Sequence, residues 1–255
     1  MLIHLNTHAM TQTSKKILSQ YSNVVPIVRK ELRSYFNSAV AYVVIVVFLG
    51  IIGWFFTNNV FLMNVASLRM MFEIVPAVFL FFIPAITMRL LSEEKKSGTI
   101  ELLTTKPISD TEIVLGKFLA AWALVCIALV PTLLYYVTLA FLGSIDSGPV
   151  VGGYVGLILM AGVYVAIGVF ASSLTDNQVV AFILGFVFVF AIFMLDKILF
   201  YVPEWMTTTV EFLGIDFHFS SIARGVIDSR DIIYFFSMLG MSLMLAVGSL
   251  QRRNW

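Results

Sequence analysis

Few side chains in this 255-residue chain could do chemistry of their own. The histidines are His4, His8 and His218. None belongs to an H-E-x-x-H pair, so a helix-borne zinc site has no ligands. No G-x-S-x-G turn presents a nucleophilic serine. Gly116-Lys117 has the look of a phosphate-binding loop, but Thr111 stands where its first glycine belongs and Phe118 follows the lysine. The chain therefore does not bind ATP through that motif. Cys126 lies alone in an apolar run and reads as a buried, inert thiol. His218, in DFHFSS, reads as a packed or solvated residue rather than a ligand. The expectation is a chain with no catalytic, cofactor or metal site.

What remains is a stretch whose chemistry is docking. Residues 92–103 read SEEKKSGTIELL and lie between two long apolar segments. Glu93, Glu94, Lys95 and Lys96 make a polar entry, and Gly98 permits a tight turn. The spacing predicts a short helix over 99–105, with Ile100 and Leu103 on one face. Lys106-Pro107 ends it, because a residue before proline disfavours the helical region. Ser109 and Glu112 then match a capping box, with Ile108 and Ile113 placed as a hydrophobic staple. The next helix thus has its own start. A solvated connector has no need of Ile100, Leu102 and Leu103 beside carboxylates, so this short helix reads as a docking surface.

The elements that must carry it are membrane helices. Only 12% of the residues are charged, mean hydropathy is +0.96, and 60% are hydrophobic. A soluble domain carries about 25% charged residues. Six windows reach the roughly 17–25 apolar residues that a helical span requires. They are residues 38–56, 73–91, 114–142, 150–174, 179–201 and 232–250. They are apolar all round, which excludes the alternation of barrel strands. Twelve of the sixteen basic residues fall on the side that holds both termini and the 92–113 loop. That side is expected to be cytoplasmic. Trp54, Trp205 and Trp255 fall at span edges as interface anchors, while Trp122 lies deeper and packs against neighbours. Pro76, Pro84 and Pro131 are expected to kink spans two and three. The apolar cores hold no Asp, Glu, Lys or Arg, with Asp196 and Lys197 nearest, at the end of span five. This disfavours an ion-coupled carrier. A net charge of +1 points to no nucleic-acid partner.

Residues 1–23 are expected to be a flexible cytoplasmic tail, with Met10 an alternative start to Met1. Residues 24–36 read VVPIVRKELRSYF. Val25, Val28, Leu32 and Tyr35 recur at helical spacing, and Arg29, Lys30 and Arg33 fall on the other side. This is the pattern of an amphipathic helix lying in the membrane interface. Residues 202–231 form a long outer segment too polar to span, and residues 251–255 a cytoplasmic end.

The register EEKKSGTIELLTTKPISDTEIVLGK resembles permease subunits of ABC-2-type transporters. The match falls on Glu94, Gly98, Thr99, Glu101, Leu103, Pro107, Gly116 and Lys117. KELRSYFNS, FSSIARGVIDSRDIIYF and the ending QRRNW look like the gliding-motility-associated ABC permease subunit of Bacteroidota-type bacteria. The resemblance implies an all-α, six-span exporter fold in the bacterial inner membrane. It implies two ABC ATP-binding subunits that hold ATP and Mg2+, a second permease subunit as homodimer or heterodimer, and a motility-associated auxiliary subunit. The helix between spans two and three is similar to the family's coupling helix. Its contact residues would be Glu93, Glu94, Gly98, Thr99, Glu101, Leu102 and Leu103, with Asp176 and Asn177 of the TDNQ turn as a second contact. The outer segment, with Phe217, Phe219 and Arg224, would form short helices that partly re-enter the membrane. The alternative is a structural membrane anchor or scaffold for a motility or envelope complex, with little transport of its own.

Overall fold

A computed structural model describes residues 23–62, 67–99, 108–143, 146–198, 203–226 and 228–252. All regular structure among them is helical. Helix α1 (Val24–Asn37) is followed at Ser38 by one extended residue. Then come α2 (Ala39–Thr57), which runs on into a π-helical turn at Asn58–Leu62, and α3 (Arg69–Thr87). A short α4 (Ser92–Lys96) precedes α5 (Asp110–Leu129), α6 (Leu133–Leu142), α7 (Ser147–Ser173) and α8 (Gln178–Ile198). The chain ends with α9 (Glu204–Leu213), α10 (Ile215–Ala223) and α11 (Ser229–Gln251).

Six helical stretches among the described residues are long and apolar enough to cross a membrane: Ala39–Leu62, Arg69–Lys96, Asp110–Leu142, Ser147–Ser173, Gln178–Ile198 and Ser229–Gln251. They match the six expected spans, with one difference inside the third. The window 114–142 is not one helix. A 3-10 turn at Val130–Thr132 divides it into α5 and α6. Pro131 sits in that turn, where it cannot donate to the ladder. Thr132 covers the break, its hydroxyl bonding the Leu129 carbonyl at 2.6 Å and meeting the Tyr154 hydroxyl at 3.0 Å.

The fourth span, α7, is the centre of the bundle. In its most apolar window 78% is buried, against 17% in the fifth span. Small residues explain how neighbours come this close, since without Cβ bulk helices can nearly touch. A Cβ at Gly153 would lie 2.4 Å from the Phe72 ring of α3, and one at Gly168 would lie 2.1 Å from the Thr87 hydroxyl. One at Gly152 would meet the Ile222 carbonyl of α10 at 2.1 Å. Trp122 packs as expected, stacking on Phe118 and donating its indole N–H to the Ile158 carbonyl of α7 at 2.9 Å. Trp54 and Trp205 are largely exposed on the bundle's outside, and Trp255 lies outside the described residues.

Candidate functional site: the root of the loop between spans two and three

Helix α5 starts as its sequence dictates. The Ser109 hydroxyl accepts from the Glu112 N–H at 3.2 Å, and the Glu112 carboxylate accepts from the Ser109 N–H at 2.8 Å. This completes the capping box. Its other oxygen accepts from the Asn23 side chain at 3.2 Å, which fixes the start of α1 to the start of α5.

Helix α1 then runs along α5. A Cβ at Gly116 would fall 2.6 Å from Ile27, so glycine is what lets the two helices approach. Val24 and Tyr35 are buried and Ile27 packs on the core, but Val25 is 66% exposed. The helix is turned so that Glu31 also points inward. Tyr35 donates to the Ile86 carbonyl at the end of α3 at 3.1 Å. Burial first, then the nearby Glu31 carboxylate, pushes its phenol well above the usual tyrosine range, with Arg89 opposing. Tyr35 is thus held as a neutral donor.

Glu31 points inward because Lys117 is there. Lys117 is among the largest fully buried side chains, and its ammonium lies 3.1 Å from Glu31 and 2.9 Å from Glu94. An unpaired buried ammonium would cost several kcal/mol, so the two carboxylates are required by its burial. Lys30 closes the cluster from the edge, at 3.9 Å from Glu31 and 3.7 Å from Glu94. A cavity of about 270 Å3 opens beside it, lined by Tyr35, Arg89, Glu93 and Thr99 along with the charged cluster.

The other side of the root is tied to the central helix. The Ser172 hydroxyl accepts from the Leu91 and Ser92 N–H groups at 3.0 and 3.1 Å and donates to the Met88 carbonyl at 3.0 Å. Lys95 donates to the Ser173 carbonyl, which also accepts from Ser249 of α11 at 3.0 Å. Two spans, α5 through Lys117 and α7 through Ser172 and Ser173, thus hold residues 88–95, and α11 braces the second through Ser249.

The sequence-predicted residues are placed as follows. The expected polar entry is itself helix α4. The expected helix over 99–105 lies outside the described residues but for Thr99, so Glu101, Leu102 and Leu103 lie outside them too. Glu93 is half exposed and pairs with Arg89 at 3.1 Å. Glu94, expected on the contact surface, instead turns inward to Lys117, with its side chain 14% exposed. Gly98 has a φ of 69°, a left-handed turn that glycine makes without strain. Thr99 is exposed and its hydroxyl lies 2.8 Å from that of Ser97. Asp176 is exposed, and the Asn177 side chain accepts from the Val179 N–H at 2.9 Å, at the start of α8. Arg29, Lys30 and Arg33 are all exposed on α1.

At the opposite end of the bundle, α9 and α10 stand where short helices were expected. The Asp196 carboxylate at the end of α8 accepts from the Asp216 N–H at 2.9 Å and so caps α10 from outside. Lys197 pairs with Asp216 at 2.7 Å. His218 is packed: its Nδ1 lies 2.7 Å from Asp231, its Nε2 lies 2.9 Å from the Phe212 carbonyl, and its ring stacks on Tyr234. Phe219 is buried over Gly156, Phe217 is partly exposed and Arg224 is exposed.

Sequence reasoning singled out Lys117 only as a motif letter and passed over Glu31, Ser172 and Ser173. The available signal was charge in the wrong place. Lys117 interrupts an apolar helix, and Glu31 is the lone acid of α1.

Such a bundle, with five apolar helices around a central sixth, defines a multi-pass α-helical membrane protein. A family model for the ABC-2 family transporter protein matches residues 7–214, and the chain belongs to that family of transporter permeases. The match takes in the first five spans, α1 and the whole loop, and ends just before α10. No curated protein matches the chain.

Proposed function

We propose that this chain is the membrane-spanning permease subunit of an ATP-driven ABC-2-type exporter in the bacterial inner membrane. Both termini and the loop root face the cytoplasm, and the loop of residues 92–107 docks on a separate ABC ATP-binding subunit. Two such subunits hydrolyse ATP with Mg2+, and a second permease subunit completes the pathway. Resemblance of the KELRSYFNS and FSSIARGVIDSRDIIYF stretches supports a gliding-motility complex as the setting.

The observation that carries the reading is the bond between Glu94 and Lys117. A docking loop must pass force to the spans. The root of this loop is joined to α5 through Lys117, to α1 through Lys30 and through the Glu31 that shares Lys117, and to α7 through Ser172. A push on residues 92–107 is then delivered to packed helices instead of being absorbed by a slack connector. Interfaces of this kind shift between discrete arrangements and so suit a power stroke.

Co-expression with a candidate ABC ATPase from the same genome tests the reading. The ATPase should co-purify with the parent chain, and E101A and L103R should abolish that while leaving the permease folded. An ATPase that fails to bind the parent, or binds these variants equally well, rejects it.

A further inference from the structure

The outward face of α1 carries charge that nothing in the described structure neutralises. Glu31, its only acid, is drawn inward to Lys117. Arg29 and Arg33, one helical turn apart, have no acidic partner among the described residues, while Lys30 beside them does. These three cations line a shallow, open groove of about 580 Å3 along the outside of α1, together with Val25, Pro26, Ser34 and Asn37 of the same helix. No carboxylate among the described residues lines it.

We propose that this groove is a binding site for the phosphate headgroup of an anionic phospholipid. Two guanidiniums a helical turn apart present forked donors suited to phosphate oxygens. Ser34 and Asn37 add neutral donors for a glycerol or similar polar head. Val25 and Pro26 give the groove an apolar rim, which a lipid can use and a free phosphate cannot. The groove ends at Asn37, one residue before Ser38 and two before the first apolar span begins at Ala39. It therefore lies where the chain enters the bilayer, at the level of the headgroups. The burial of Lys117 creates the site, because it takes the one acid that would otherwise compensate the arginines. A bound lipid would then hold α1 against α5 from outside, while Glu31 holds it from within.

The inference rests on this end of the bundle lying at a membrane surface but does not require the ATPase, so the two can fail separately. The full chain is purified and exchanged into nanodiscs of phosphatidylcholine containing a graded fraction of phosphatidylglycerol. Retained lipid is counted by native mass spectrometry after extraction into mild detergent. The parent should retain phosphatidylglycerol over phosphatidylcholine. R29Q/R33Q should lose that preference by roughly tenfold or more, each cation near an anionic surface being worth about fivefold. R29K/R33K should keep much of it, and R224Q, at the other end of the bundle, should keep all of it. Circular dichroism of each variant should match the parent. Equal retention of the two lipids by the parent overturns the proposal, as does full preference in R29Q/R33Q. Displacement of phosphatidylglycerol by millimolar inorganic phosphate would assign the groove to a soluble anion instead. If R29Q/R33Q keeps the lipid and loses only ATPase co-purification, the face belongs to a protein partner and the lipid site is rejected.

Discussion

The ammonium of Lys117 lies 2.9 Å from the carboxylate of Glu94, joining the start of the third span to the first turn after the second. Glu31 completes the pair from α1 at 3.1 Å. One buried cation thus decides how three separate segments sit.

Replacing that cation should be costly. K117M leaves two carboxylates, each with a side chain 14% exposed, with only the exposed Lys30, 3.9 and 3.7 Å away, to offset them. Breaking a buried pair in this way costs about 3–5 kcal/mol, less here because both acids retain some solvent. The melting temperature in detergent, read from tryptophan fluorescence, should fall by roughly 5 °C or more. K117M/E31Q/E94Q, which removes all three charges, should recover a large part of the loss. An unchanged melting temperature in K117M would mean that the cluster is not buried in solution.

Ser172 should act on the loop root alone. In S172A the Leu91 and Ser92 N–H groups lose their acceptor. A buried unsatisfied donor costs about 1–3 kcal/mol. Amide hydrogen exchange should quicken over residues 90–96, while the middle of α7 keeps its protection. Uniform quickening along α7 would point instead to a general loss of packing.

Gly152 should tolerate nothing larger. The Ile222 carbonyl lies 2.1 Å from where an alanine Cβ would sit, and a backbone atom cannot rotate away. G152A should push α10 off α7. In a C126S background, a cysteine placed by I222C should then react faster with a maleimide. G240A is the control, because its Cβ meets nothing within 4 Å. Equal labelling in both variants would contradict the close crossing.

Tyr35 should give the chain an alkaline weakness. Its folded-state phenol is shifted up, chiefly by burial. Above the ordinary tyrosine value of about 10, the unfolded chain ionises while the folded one resists. The unfolded state then binds fewer protons, so stability falls as pH rises. The contribution is fully present below pH about 10 and is lost above it. Y35F should lose the bond to Ile86, at about 1 kcal/mol, and show a shallower decline at alkaline pH than the parent. Parallel pH profiles would show that Tyr35 is not the group responsible.

Much was legible in the sequence because it rests on local or one-dimensional signals. Apolar runs of span length determined six helices, since lipid leaves the backbone few other ways to satisfy its polar groups. Ser109 and Glu112 determined the start of α5, because a capping box needs only residues three apart. The register around Gly98 and Glu101 carried the family, which the match over residues 7–214 shows. Tertiary structure decided what depends on residues far apart in the chain. Which side of α1 meets α5 was not legible: Ile27 packs at Gly116 and Glu31 reaches Lys117, while Val25 stays on the outside. Glu94 looks like a surface acid until Lys117 is buried beside it. Pro131 could have kinked one helix, and instead divides it where Tyr154 of α7 meets Thr132. Local sequence sets which segments are helical, whereas the direction each polar side chain faces is set by the buried charge or hydrogen-bond partner it must reach.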